Sequence, residues 1–160
     1  MVATVQVRTG GDLKRIAAEL RIQGNGALKA EFRKTMRTAA RPLVPAVRSA
    51  IRQIPSSRNY SADGLRGRMS RAVKLEIKTT GIQAGVRLRV DGRKMPDREK
   101  ALQSYMEGVK KPWRHPVYGN RENWVKQDAH PYFYKTVNRF GPATRLNVAK
   151  AAEGIARKIA

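Results

Sequence analysis

The chain has 160 residues, the size of one domain with a single core, and its 34 lysines and arginines against 12 aspartates and glutamates give a formal net charge of +22. The absence of cysteine excludes a disulfide framework and a thiolate zinc site. No stretch reaches the roughly 20 apolar residues of a membrane-spanning helix, and the N-terminus lacks the apolar run of a secretory leader, so we expect a soluble protein with no membrane partner and no export signal.

Residues 1–25 predict a short strand followed by a short helix. Apolar and polar residues alternate from Ala3 to Val7, which is the pattern of a half-buried strand. Two glycines end the strand, and Asp12 is placed to cap the helix that follows.

The clearest pattern of the sequence spans residues 26–54. Its apolar residues recur at three- and four-residue steps, which predicts one long amphipathic helix of roughly 40 Å. They are Leu28, Phe32, Met36, Ala39, Ala40, Leu43, Val47, Ile51 and Ile54. A proline inside a helix costs about 3 kcal/mol, so Pro42 and Pro45 predict a kink or a restart near Arg41.

Residues 55–72 predict a mobile loop followed by a short helical turn, because residues 56–64 are rich in turn formers. Residues 73–91 predict a β-hairpin with one apolar and one basic face, since apolar residues alternate with polar ones on both sides of a turn at residues 79–81. The edges of this hairpin and of the first strand could pair with each other or with another chain, and both alternatives remain open.

Residues 92–130 predict a connecting segment, with Asp97 capping a short helix and with short strands around Val117 and Trp124. Residues 131–160 predict a C-terminal helix, bent or restarted at Gly141-Pro142. Its expected inward residues are Phe133, Val137, Leu146, Ala149, Ala152, Ile155 and Ile159. The predicted fold is a single α+β domain, in which a small antiparallel sheet with a basic hairpin packs against a long kinked helix and a C-terminal helix.

The sequence contains no recognised catalytic set. His115 and His130 each precede a proline and have no carboxylate at the spacing of a metal site or a triad. The carboxylates are mostly interleaved with basic residues, as in residues 97–100, which is typical of solvated helix faces. We therefore predict a protein that is not an enzyme and that uses no metal or other cofactor.

Basic residues provide the candidate contacts with partners. Residues 1–72 hold 15 basic and 4 acidic side chains and residues 73–160 hold 19 and 8, so each part contributes +11, which is typical of a folded basic surface. Arginines follow the apolar stripe at four-residue steps and recur on the hairpin. The candidates are Arg33, Arg37, Arg41, Arg48, Arg52, Arg87 and Arg89.

Like charges at this spacing repel by a few tenths of a kcal/mol per pair unless water screens them or an acidic surface faces them. A solvated helix flank, an acidic neighbouring subunit and double-stranded DNA therefore remain open. The stripe has no interleaved aromatic residues for base stacking, which favours a subunit over DNA.

An aromatic segment in the last third of the chain resembles a known family. The segment His115-Pro116-Val117-Tyr118-Gly119-Asn120-Arg121, followed by Trp124-Val125 and His130-Pro131-Tyr132-Phe133, is similar to the C-terminal signature of the minor tail and neck proteins of long-tailed bacteriophages. In that family a His-Pro-aromatic-Gly turn precedes a Trp-bearing strand, and a Pro-aromatic-aromatic step opens the last helix.

The resemblance implies a virion protein at the head-to-tail junction, assembled in the host cytoplasm. It would be a neck, tail-completion or tail-terminator subunit in a ring, often hexameric, around the DNA channel, with neck and tail proteins as neighbours. The signature residues would be structural anchors, with Val117 and the aromatic residues packed in the core. These anchors are His115, Pro116, Tyr118, Gly119, Trp124, Pro131, Tyr132 and Phe133. The alternative is a basic nucleic-acid-binding protein that acts outside the virion.

Overall fold

The computed structural model describes residues 4–7, 12–22, 26–56, 61–79, 85–109, 113–117 and 120–159. In chain order the elements are β1 (Thr4–Val7), α1 (Asp12–Ile22), α2 (Gly26–Ala40), α3 (Leu43–Arg52), α4 (Leu65–Arg71), β2 (Val73–Lys78), β3 (Gly85–Val90), α5 (Leu102–Met106), β4 (Trp113–Val117), β5 (Asn120–Gln127) and α6 (Phe133–Ile159). The predicted α+β class is confirmed.

The central sheet has three antiparallel strands in the order β1-β3-β2. Apolar residues of β2 stand opposite apolar residues of β3, as Leu75 does opposite Leu88, while Glu76 stands opposite Arg87. The predicted hairpin with one apolar face is therefore confirmed, although its turn and the start of its second strand fall partly on residues 80–84, outside the described residues. The first strand pairs with β3 of its own chain. For this strand, pairing within the chain is therefore the correct one of the two alternatives.

The predicted long helix over residues 26–54 is two helices. A turn at Arg41 and Pro42 separates α2 from α3, so the expected restart near Arg41 is confirmed. The prediction of one long kinked helix was wrong. Proline has no amide hydrogen to continue the ladder, whereas Pro45 lies in the first turn of α3, where its missing donor costs little. The apolar stripe keeps its phase across the break, because Met36, Leu43 and Val47 are all buried.

The hydrophobic interior divides into two clusters. The first lies between α3, α4, the sheet and the start of α6, and it includes Val47, Met69 and Phe133. The second lies between α1, α2, Val86 and the C-terminal half of α6. Leu75 packs against both clusters, and α6 contributes residues to both, so this helix ties the two halves of the interior together.

The C-terminal helix runs from Phe133 to Ile159 with Pro142 inside it and is not restarted there. Its buried face comprises Phe133, Val137, Gly141, Thr144, Val148, Ala152 and Ile155. Leu146, predicted to face inward, is 56% exposed. The prediction was wrong because the buried stripe passes through the small residues Gly141 and Thr144, which places Val148 against the core instead.

Two smaller predictions concern the segments before and after the hairpin. The predicted helical turn is confirmed as α4, while residues 57–60 of the predicted mobile loop lie outside the described residues. Asp97 does not cap α5, because it begins a separate 3-10 turn, Asp97–Glu99, whose own cap is Pro96.

Candidate assembly surfaces

The predicted arginines of α2, and Arg41 in the turn after it, are exposed. Arg33 reaches the end of β2, where a guanidinium nitrogen donates to Thr79 Oγ1 at 3.4 Å. Arg37 and Arg41 make no hydrogen bond or ion pair with any described residue. These two arginines are therefore available to a partner.

The predicted arginines of α3 support the sheet and its neighbouring helix. Arg48 donates to the backbone oxygen of Val73, at the start of β2, at 3.4 Å. Arg52 Nε donates to Ser70 Oγ of α4 at 3.3 Å. The arginine stripe thus follows the β2 edge, and part of it holds the fold together.

The arginines of β3 lie on the polar face of the sheet beside carboxylates. Arg89 donates to Glu76 at 2.8 Å and to Asp91 at 3.3 Å, and Arg87 is half-buried. Burial acts to raise the pKa of Glu76, but the hydrogen bonds and charges of Arg89 and Lys74 together outweigh it, so the pKa is lowered. The pKa of Asp91 is lowered chiefly by its hydrogen bond with Arg93. Arg89 therefore has acidic partners inside the chain.

Besides Asp91, two further carboxylates are buried among the described residues, and the sequence identified none of the three as buried. Glu107 is 5% exposed and accepts hydrogen bonds from the backbone N–H groups of Tyr132, Phe133 and Tyr134, at 3.1, 2.8 and 2.8 Å. Because these N–H groups have no partner within the helix, Glu107 caps α6 from another part of the chain.

Glu99 corrects the interpretation of residues 97–100 as a solvated face. It is 8% exposed and receives two hydrogen bonds from Arg68, at 2.7 and 2.5 Å. The hydrogen bond with Glu99 raises the pKa of Arg68. Asp97, by contrast, is exposed as predicted. Several of the few acids are thus paired inside the fold, which leaves most of the positive charge for the surface.

The signature segment forms a hairpin of its own, named here the β4–β5 hairpin (residues 113–127). Its strands are antiparallel and form a separate two-stranded sheet, with a register shift between Pro116 and Val117. Neither strand packs extensively against another described element. From Asn120 to Lys126 every side chain is exposed, so this hairpin lies outside the core.

Trp124 is the clearest correction among the predicted anchors. It was expected in the core, yet it is 47% exposed, and its neighbour Val125 is 42% exposed. Its indole N–H donates to the backbone oxygen of Arg121 at 2.6 Å. Apart from this hydrogen bond, the side chain remains about half exposed. The prediction failed because no layer of described structure covers this hairpin.

The other anchors fall into three groups. Tyr132 and Phe133 are buried, at 3% and 0% exposure, so their place in the core is confirmed. Pro131 is exposed and Pro116 is half-buried. The side chains of His115 and Val117, and the whole of Tyr118 and Gly119, lie outside the described residues.

No group of three or more His, Asp or Glu side chains that could hold a metal ion occurs within the described part of the chain. Among the same residues, no helix is long and apolar enough to cross a membrane. No protein-family model, no curated protein and no solved structure matches this chain.

Proposed function

We propose that this protein is a structural subunit of the head-to-tail junction of a tailed bacteriophage, where it assembles as a ring around the DNA channel in a neck, tail-completion or tail-terminator position. The observation that carries the proposal is the exposed β4–β5 hairpin. It contains most of the residues that resemble the phage family. Its second strand, β5, carries the exposed side chain of Trp124.

An isolated two-stranded hairpin is marginally stable in water unless another layer packs on it. Exposed aromatic side chains are also enriched where proteins bind one another. Trp124 and Val125 are consecutive residues of β5, so their side chains lie on opposite faces of the hairpin, and both are more than two-fifths exposed. A neighbouring subunit that covers the Trp124 face would stabilise the hairpin, which supports an assembly role.

The charge of the hairpin supports an acidic neighbour. Arg114, Arg121 and Lys126 are exposed on it, against the single carboxylate Glu122. Arg37 on α2 and Arg41 in the turn after it add exposed positive charge. In a ring around a DNA channel, these surfaces would face acidic neighbouring subunits or the phosphate backbone.

The experiment is to isolate virions from the bacterium that carries the encoding genome and to compare wild type with Trp124→Ser. The proposal predicts that the wild-type protein purifies with tailed particles and that the variant is depleted from them. Leu146→Ser is the matched control, since Leu146 is 56% exposed on α6 and lies outside the hairpin. The circular dichroism spectrum checks that each variant is folded. A wild-type protein absent from particles would overturn the proposal.

Nucleic-acid binding outside the virion is the second candidate, and Trp124 is the observation that favours it. This exposed ring lies near Arg121 and Lys126, a combination of aromatic and basic residues that suits stacking on bases. Binding to DNA through phosphates must weaken linearly in the logarithm of salt concentration. Absence of binding to duplex and single strands at low salt would remove this candidate.

A further inference from the structure

A groove lies along α3, on the side opposite to Arg48 and Arg52. It encloses about 700 Å³ between α3, the start of α6 and the segment that joins β5 to α6. Ala46 and Ala50, one helical turn apart, contribute small side chains from α3, and Phe140, 43% exposed, contributes an aromatic wall from α6. Small residues on one side and an aromatic residue on the other leave room for inserted apolar side chains.

The two rims of the groove differ in charge. Lys135 and Arg139 form the α6 rim at a spacing of one turn, and the Arg139 guanidinium lies 5.5 Å from the centre of the Phe140 ring. Ser49 and Gln53 form the α3 rim and hydrogen-bond to each other at 3.3 Å. The groove is lined by no carboxylate, and neither Lys135 nor Arg139 has an ion pair with a described residue.

One of the residues that line the groove has a buried polar group without a partner among the described residues. Tyr132 lines it, and the Tyr132 hydroxyl has no hydrogen-bond acceptor among the described residues. Burial, followed by the charge of Glu107, raises the pKa of Tyr132, so its hydroxyl remains a neutral donor.

We infer that this groove binds an amphipathic helix of another protein, with apolar residues at i, i+4 and i+7 in the groove and glutamates or aspartates along the flank that faces Lys135 and Arg139. From Ala46 to Gln53 the α3 wall is about 10 Å long, which matches two turns of a bound helix. Acidic side chains would relieve the repulsion between the two cations, which lie on the same face of α6.

A second copy of this chain does not fit the charge of the groove. The charged side chains on the exposed faces of its own described helices are mostly lysines and arginines, and the whole chain has a net charge of +22. Such a helix would place like charges against Lys135 and Arg139 and would be repelled. The partner is therefore an acidic protein distinct from this one.

The test uses the full chain and a synthetic peptide with leucines at i, i+4 and i+7 and glutamates on one flank, measured by fluorescence anisotropy. A second peptide keeps the glutamates and replaces the leucines by serine. The inference predicts that the first peptide binds at least about tenfold more tightly than the second, because the groove buries the apolar side chains. Equal affinities would mean that only the diffuse positive charge attracts acidic peptides, and would overturn it.

Paired charge reversals locate the binding surface. Lys135→Glu with Arg139→Glu should weaken binding of the first peptide by at least about tenfold, whereas Lys150→Glu with Arg157→Glu, exposed on the same helix but outside the groove, should change it less than about threefold. Ala50→Leu, which fills the groove without changing charge, should weaken binding as well. Equal losses from both charge reversals, or self-association through the groove in place of peptide binding, would contradict the inference.

Discussion

At the residue scale, Glu107 supplies the helix cap that the local sequence before α6 lacks. Its carboxylate oxygens accept three backbone N–H groups at the first turn of α6 while the side chain stays buried. Bonds to a charged acceptor are stronger than neutral ones, and an unmet buried donor costs its full desolvation. The position of the longest helix thus depends on one side chain.

Glu107→Gln should lower the free energy of unfolding by about 1–3 kcal/mol, because an amide offers one accepting oxygen where the carboxylate offers two. Urea denaturation measures the change. Glu122→Gln, exposed on β5, is the control and should stay within about 0.5 kcal/mol of wild type. Identical denaturation midpoints for Glu107→Gln and wild type would show that the cap contributes nothing.

Gly67 is required by a close approach between α4 and the loop before it. A methyl group at this position would lie 1.8 Å from the backbone oxygen of Ala62. Gly67→Ala should therefore lower the thermal midpoint, at a cost of about 1–3 kcal/mol for the forced displacement. In α6, Gly154 has nothing within 4 Å of the same methyl position, so Gly154→Ala should be neutral or stabilising by up to about 1 kcal/mol. A similar response of both variants would contradict the packing described here.

At the scale of elements, the polar face of β2 and β3 holds a network of carboxylates and arginines that responds to pH. The folded-state pKa values of Asp91 and Glu76 are lowered by hydrogen bonds from Arg93 and Arg89. A carboxylate with a lowered pKa contributes stability that is present above its ordinary pKa and is lost as the pH falls toward the lowered value.

Asp91→Asn should therefore destabilise the protein at neutral pH, and the difference from wild type should shrink below the ordinary aspartate pKa of 3.8. Unfolding free energies measured by denaturant at several pH values test this. Asp128→Asn, exposed after β5, serves as the reference for loss of an exposed carboxylate. A difference between Asp91→Asn and wild type that does not change with pH would rule out this linkage.

Sequence periodicity predicted most elements because it reports which residues of a helix or strand share a face. The β2–β3 pairing was predictable in this way, whereas the break near Arg41 was predictable from the cost of a proline inside a helix. Neither periodicity nor the family resemblance reports whether another layer covers a face, so Trp124 was expected to be buried. Nor does it reveal partners distant in sequence, so the cap by Glu107 and the Arg68–Glu99 pair were missed.

At the scale of the whole molecule, α6 ties together two apolar clusters, and two surfaces are not covered by another described element. One is the β4–β5 hairpin with its exposed Trp124, and the other is the groove between α3 and α6. Both surfaces carry exposed lysines and arginines. Buried carboxylates such as Glu99 and Glu107 do not neutralise them, because these carboxylates accept hydrogen bonds from groups inside the fold. A basic protein with two such surfaces is suited to the proposed place between acidic neighbours.

The mass of the assembled protein tests the central claim most directly. Native mass spectrometry of the purified chain, alone and with the products of adjacent genes, should give one closed oligomer of fixed copy number, and Trp124→Ser should remain a folded monomer. A wild-type chain that stays monomeric at every concentration and with every neighbour would contradict a ring-forming subunit.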